Sequence, residues 1–146
     1  MERGPVPDVP ESFRELERTS AFSRFIGPIY EARDEQGRLF GFRVRPDHLN
    51  LGGVAHGGMI ASFADVVLGQ YEGRDYDRLT VTIRLVVDFI GVAHFGEWVE
   101  GRAHVLRQTR NLVFVDADVT SRGKLIMTAQ AVFKVLDRAR PVAVGR

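Results

Sequence analysis

A chain of 146 residues fits a single domain, 1–146, large enough to bury a real core without covalent staples. Its 45% apolar and 27% charged residues are ordinary for a soluble globular protein. A formal net charge of +1 argues against the basic stripe of a dedicated nucleic-acid binder, and the absence of cysteine excludes disulfides, Cys-based zinc sites and a thiolate nucleophile.

The chain opens with a polar, Pro-rich stretch, 1–10, that reads as a loose arm without the apolar core of a signal peptide. No segment approaches the ~20 apolar residues of a membrane span, so a cytoplasmic protein with no membrane contact is expected. Residues 11–25 suggest a short helix with Phe13, Leu16 and Ser20 on one side. Glu35-Gln36-Gly37-Arg38 reads as a turn, followed by Phe40, Phe42 and Val44 alternating with Gly41, Arg43 and Arg45. That alternation predicts a half-buried strand paired with the segment before the turn. Pro46 to His56 is a predicted loop.

Gly57 to Gly69 is the most informative stretch. Met59, Ile60, Ala61, Phe63, Ala64, Val66, Val67 and Leu68 leave only Ser62 and Asp65 as polar side chains. A helix apolar all round is expected to be buried all round. Downstream, Leu79, Val81, Ile83, Leu85, Val87 and Phe89 alternate with Thr80, Thr82, Arg84, Val86, Asp88 and Ile90, which predicts a strand with those two faces. Strands near 97–108, 111–121 and 124–136 follow, with links short enough for hairpins. Tight links imply an antiparallel meander. The tail 138–146 reads as frayed. One greasy helix followed by four long antiparallel strands predicts an α+β hotdog fold, a curved sheet wrapped around the helix.

Two features of the helix carry chemistry. A carboxylate there must be hydrogen-bonded, reach a crevice, or hold its proton, and each state suits a general base or a nucleophile. Asp65 satisfied by backbone or a neighbouring arginine is the structural alternative. At the helix start, the glycines of Val54-Ala55-His56-Gly57-Gly58 allow close approach of a ligand, and first-turn amides favour negative charge such as an acyl-transfer oxyanion. A tight loop-to-helix entry would also use them. Gly57 and Asp65 lie about 12 Å apart along the axis at ~1.5 Å per residue, too far to act on one carbonyl. Two antiparallel copies remove the difficulty, so catalysis by both features requires at least a homodimer.

The run Asn50-Leu-Gly-Gly53-Val-Ala-His56-Gly57-Gly58, followed by Asp65 and Gly69, resembles the PaaI-like (phenylacetate-degradation type) hotdog thioesterases. The likeness spans roughly residues 38 to 136. It implies hydrolysis of acyl-CoA thioesters, with coenzyme A present only as part of the substrate and no separate cofactor. It also implies that Asp65 is base or nucleophile, that the Gly57 amide polarises the thioester carbonyl with Asn50 assisting, and that His56 lines the site. Thr82, or less favourably Thr80, would position water. A pairing of dimers into a homotetramer is implied as well. One departure is that Ile90-Gly91-Val92-Ala93-His94 stands where the family often has a proline.

Arg107, Arg110, Arg122 and Lys124 flank hairpins as candidates for the CoA phosphates, although solvated turn charges are the more ordinary explanation. His48, His56, His94 and His104 show no metal-binding spacing, and His104 reads as a surface residue. Neither a Gly-x-Ser-x-Gly elbow nor a Gly-rich phosphate loop occurs. Phe63, Phe89 and Trp98 fit an acyl pocket or the core. A hotdog hydratase or dehydratase and a non-catalytic acyl-CoA-binding module are the alternatives, though a pure binder has no need of Asp65.

Overall fold

The computed structural model describes residues 8–137; most of the expected arm and the expected tail 138–146 lie outside them. A seven-stranded antiparallel sheet curves around one long helix. Its strands are β1 (Arg14–Glu15), β2 (Tyr30–Asp34), β3 (Gly37–Arg43), β4 (Thr80–Phe89), β5 (Trp98–Gln108), β6 (Leu112–Ser121) and β7 (Lys124–Val135). Their order across the sheet is β1-β2-β3-β5-β6-β7-β4. The helix is α2 (Gly57–Gly69), preceded by a short α1 (Ala21–Ile26) and a 3-10 turn at Pro46–His48. This is the expected α+β hotdog. No helix among the described residues is long and apolar enough to cross a membrane.

Three expectations need correction. The helix predicted over 11–25 is confined to Ala21–Ile26, capped by the Ser20 hydroxyl on the Ser23 amide. Upstream, Leu16 is buried from an extended segment that pairs with β2. Backbone pairing with β2 outweighs a weak helical spacing there. Second, β4 does not adjoin β5. The chain crosses from β4 to β5 beside β3, and β4 closes the sheet as an edge strand against β7.

The third correction concerns the faces of β4. Its register against β7 shifts between Thr82 and Arg84, so Ile83 is a bulge residue. A bulge inverts the side-chain parity on one side of itself. Thr80, Thr82, Leu85, Val87 and Phe89 therefore pair with Val135, Phe133, Ala131, Ala129 and Met127, all of which are buried beneath the helix. Simple alternation had placed Thr82 on the face opposite Leu85.

Helix and sheet meet closely through glycine. A Cβ on Gly101 of β5 would stand 3.0 Å from both Phe63 and Val67 of α2, each fully buried. On the far side of the sheet the Trp98 ring occupies the space that a Gly41 side chain would need, and it packs edge-on to Phe13 at 5.0 Å. Phe63 and Trp98 are thus packing residues, one in the core and one half-buried behind the sheet.

Candidate active site

The helix is less buried than its composition implies. Met59, Ile60, Phe63, Ala64, Val67 and Leu68 face the sheet, whereas Ala61, Ser62, Asp65, Val66 and Gly69 form a half-buried stripe and Gly58 is exposed. One concave sheet covers only part of a helix's circumference. The uncovered apolar side chains are what made the sequence look buried all round. Ser62 returns its hydroxyl to the Gly58 carbonyl at 2.7 Å, a local bond that removes it from the chemistry.

Asp65 stands in that stripe. Thr82 Oγ1 donates to its Oδ1 at 3.0 Å. The Ile83 bulge makes this contact possible by turning Thr82 towards the helix just before the strand resumes its outward pattern. No arginine pairs with Asp65 among the described residues. Thr80 lies on the same face of β4, with its hydroxyl buried and without a partner among the described residues.

The helix start is built by the preceding loop. His48 is buried, its Nδ1 accepting the Arg45 amide at 3.1 Å and its Nε2 against the Ile26 carbonyl at 2.7 Å. A backbone amide can only donate, so His48 is neutral with its proton on Nε2. Burial is the leading reason its pKa is lowered, opposed by the Ile26 carbonyl and aided by Arg45. The Asn50 Oδ1 accepts the Gly52 amide at 2.9 Å and the Val54 amide at 3.3 Å. This ties its oxygen into the loop and leaves only its NH2 group for a ligand. The His56 amide then closes on the His48 carbonyl at 2.7 Å, and Ala55 on the Ala93 carbonyl at 2.8 Å.

His56 caps the helix, its Nδ1 accepting the Gly58 amide at 2.8 Å. Gly58 is thereby occupied, while the Gly57 amide has no acceptor among the described residues. Phe89 borders this amide: a Cβ on Gly57 would meet its ring at 3.1 Å, and Phe89 is 57% exposed. The sequence is compatible with Phe89 in a pocket or in the core. Its place at the end of an inward-facing series was the available signal.

Thr82 and Asp65 are therefore brought together within one chain, whereas Gly57 and His56 stand at the start of the helix and Asn50 is tied into the loop before it. The departure at Ile90-Gly91 is accommodated by the sheet, because both amides donate to the Ile126 carbonyl, at 2.9 and 3.1 Å. A proline at either position would lose its bond. His104 is exposed, 3.3 Å from Asp116, as expected of a surface residue. No cluster of three or more His, Asp or Glu side chains suited to a metal occurs among the described residues.

Residues 52–127 match the family model described as the thioesterase superfamily. A Pseudomonas aeruginosa protein named provisionally as an esterase is 36% identical over 129 residues, covering 86% of this chain and 96% of that protein. Acyl-coenzyme A thioesterase 13 of Homo sapiens is 27% identical over 124 residues, covering 80% of this chain and 86% of that protein. Among solved structures, a mutant of the phenylacetic acid degradation protein PaaI from Thermus thermophilus superposes with a TM-score of 0.69. It is 25% identical and covers 80% of this chain and 100% of that one.

Proposed function

The chain belongs to the thioesterase superfamily, in its PaaI-like branch, and from that premise we propose that it hydrolyses acyl-CoA thioesters at a site shared between two copies of itself. The observation that carries this reading is the Thr82–Asp65 hydrogen bond, which holds an acid and a hydroxyl together on the open side of the helix. Asp65 acts as base towards water steered by Thr82, or attacks the thioester carbon itself to form an anhydride that water then cleaves. The carbonyl oxygen takes negative charge on the free Gly57 amide, with the Asn50 NH2 group beside it, and CoA leaves as the thiol. One preorganised donor of this kind contributes ~3–4 kcal/mol to the transition state in comparable sites. His56 supports the arrangement by holding the Gly58 amide and the loop.

Two features support a shared site. Asp65 follows Gly57 by eight residues, about 12 Å of helix. Beside the uncovered helical stripe, β4 ends the sheet with a free edge that carries exposed Val81 and Ile83. A second copy pairing antiparallel along β4 extends the sheet, covers the stripe and brings its own Asp65 to this chain's Gly57. Pairing of such dimers into a tetramer, and a place in the cytoplasm, belong to the same proposal.

The test is release of free thiol from a panel of acyl-CoAs, followed by complementation. Asp65→Asn abolishes turnover while product binding persists. Gly57→Pro deletes the amide at the first helical position, where the helix itself tolerates proline, and the exposed Phe89 ring, 3.1 Å from a Cβ there, turns aside to admit it. Each variant alone is inactive, and the two refolded together regain activity, because one hybrid site keeps both groups. Full activity in Asp65→Asn removes the assignment of the acid, and failure of the mixture to recover removes the shared site.

A further inference from the structure

The loop before α2 is a small hairpin with His48 at its base. The His56 amide closes on the His48 carbonyl at 2.7 Å, Leu49 bridges to Ala55, and the Asn50 amide closes on the Val54 carbonyl at 2.8 Å. Both donors of the oxyanion site proposed above depend on this unit: Asn50 lies near its tip, and Gly57 directly follows its last residue. One flank is tied to the segment 90–94 by the Ala55 amide on the Ala93 carbonyl. The base is anchored by the imidazole of His48.

That ring joins two segments far apart in sequence. Its Nδ1 accepts the Arg45 amide where the chain leaves β3, and its Nε2–H donates to the Ile26 carbonyl at the end of α1. His48 is 4% exposed and its ring stands edge-on to Phe42 at 5.4 Å, which leaves little room for water to replace either partner.

A second proton finds no acceptor there. A protonated Nδ1 faces the Arg45 amide, donor against donor. Arg45 Nη2 lies 3.3 Å from Nε2 and 3.5 Å from the Ile26 carbonyl, so that oxygen is already shared, and Arg45 Nε is buried without an acceptor. Asp47, on the same 3-10 turn, acts on the ring through its charge, and Arg24 of α1 is turned to the Thr19 carbonyl. Burial is the leading reason that the pKa of His48 is lowered, so the folded ring stays neutral to below about 6.5 and charges only as pH falls through the lowered value.

We propose that His48 is a positioning residue for this hydrolysis: neutral, it seats the 48–56 hairpin so that the Gly57 amide and the Asn50 NH2 group meet the thioester carbonyl, and protonated, it unseats them. The imidazole touches no substrate. It acts through its own carbonyl on the His56 amide, and through the short stretch of chain to Asn50. The inference rests on the hydrolase reading above and adds a control by pH to the same site.

The experiment compares the wild type with His48→Gln, whose amide offers an acceptor and a donor but takes no proton, and with His48→Leu, which offers neither. At about pH 7.5 His48→Leu loses kcat about tenfold or more with KM within about threefold, as for a displaced oxyanion donor, and His48→Gln stays within about threefold of the wild type. Wild-type kcat falls as pH drops below about 6.5, and in His48→Gln this acid limb moves to lower pH. Amide exchange supplies a readout independent of turnover. Protection of the His56 and Asn50 amides, corrected for the intrinsic pH dependence of exchange, declines from about pH 7.5 to about pH 5.5 in the wild type and holds in His48→Gln. Superimposable acid limbs, parallel protection, or a His48→Leu enzyme with wild-type kcat each overturn the inference and leave the hydrolase reading intact. If His48→Leu does not fold, the glutamine variant carries the test unaided. Should the wild type release no thiol from any acyl-CoA, the hydrolase reading fails by itself, and the exchange comparison alone decides whether His48 governs the hairpin.

Discussion

Replacing Thr82 with valine removes one hydroxyl and almost no volume, so it isolates the Thr82–Asp65 contact. A hydrogen bond to a charged acceptor contributes about 1.5–3 kcal/mol, and the 3.0 Å bond here lies at an open crevice, where water can replace the lost donor. The effect on global stability is therefore small, under about 1 kcal/mol. Turnover depends on geometry more than on that net balance, because a carboxylate free to rotate, or a water no longer held, lies outside the reactive arrangement. Losing about 1.4–2.7 kcal/mol of transition-state stabilisation lowers kcat roughly 10- to 100-fold, since each 1.36 kcal/mol is a factor of ten. Thr82→Ser retains the hydroxyl and stays within several-fold of the wild type. The assay is thiol release at saturating acyl-CoA, with a urea melt to show that the fold is retained. A Thr82→Val enzyme with wild-type kcat would refute the role of this contact, and with it the functional meaning of the Ile83 bulge.

Two further outcomes follow from packing and protonation. Gly101→Ala puts a methyl group 3.0 Å from Phe63 and Val67, which bracket Asp65 on the helix, so these two fully buried side chains must give by a few tenths of an ångström. Overpacking of this size costs about 1–3 kcal/mol, read as a drop in melting temperature at fixed protein concentration, together with loss of activity. An unchanged melt would mean that the helix is not seated as tightly as these distances imply. His48 behaves differently. Its lowered pKa, due first to burial, means that the folded protein resists protonating it more than the unfolded chain does. Its contribution to stability is then present above the ordinary imidazole value of about 6.5 and is lost as pH falls from there through the lowered value. Denaturant midpoints measured from pH 7.5 down to 5 should fall more steeply for the wild type than for His48→Gln, and parallel slopes would contradict the buried neutral imidazole.

Much of this protein was legible before any coordinates. The strands β5, β6 and β7 announce themselves by alternation and by the two-residue Arg122-Gly123 and short 109–111 links, because a local turn constrains the strands it joins. The bounds of α2 are readable too, since a Gly-Gly entry and an unbroken apolar run leave few other conformations. The motif from Asn50 to Asp65 pointed to the chemistry, though only as residues in a row.

Position across the sheet was a different matter. Where β4 sits depends on which edge offers unpaired backbone after the helix is covered, a long-range competition that no local pattern records. The bulge at Ile83 is equally silent in sequence: a single extra residue against β7 reverses the facing of Thr82, and alternation alone read it the wrong way. Composition made α2 look enclosed, but a concave sheet can cover only one side of a cylinder, and the remaining stripe is where Asp65 meets water. Residue types and local turns thus determined the elements and the candidate chemistry, while tertiary structure decided which of those residues touch, because contact across strands is set by register and burial rather than by spacing along the chain.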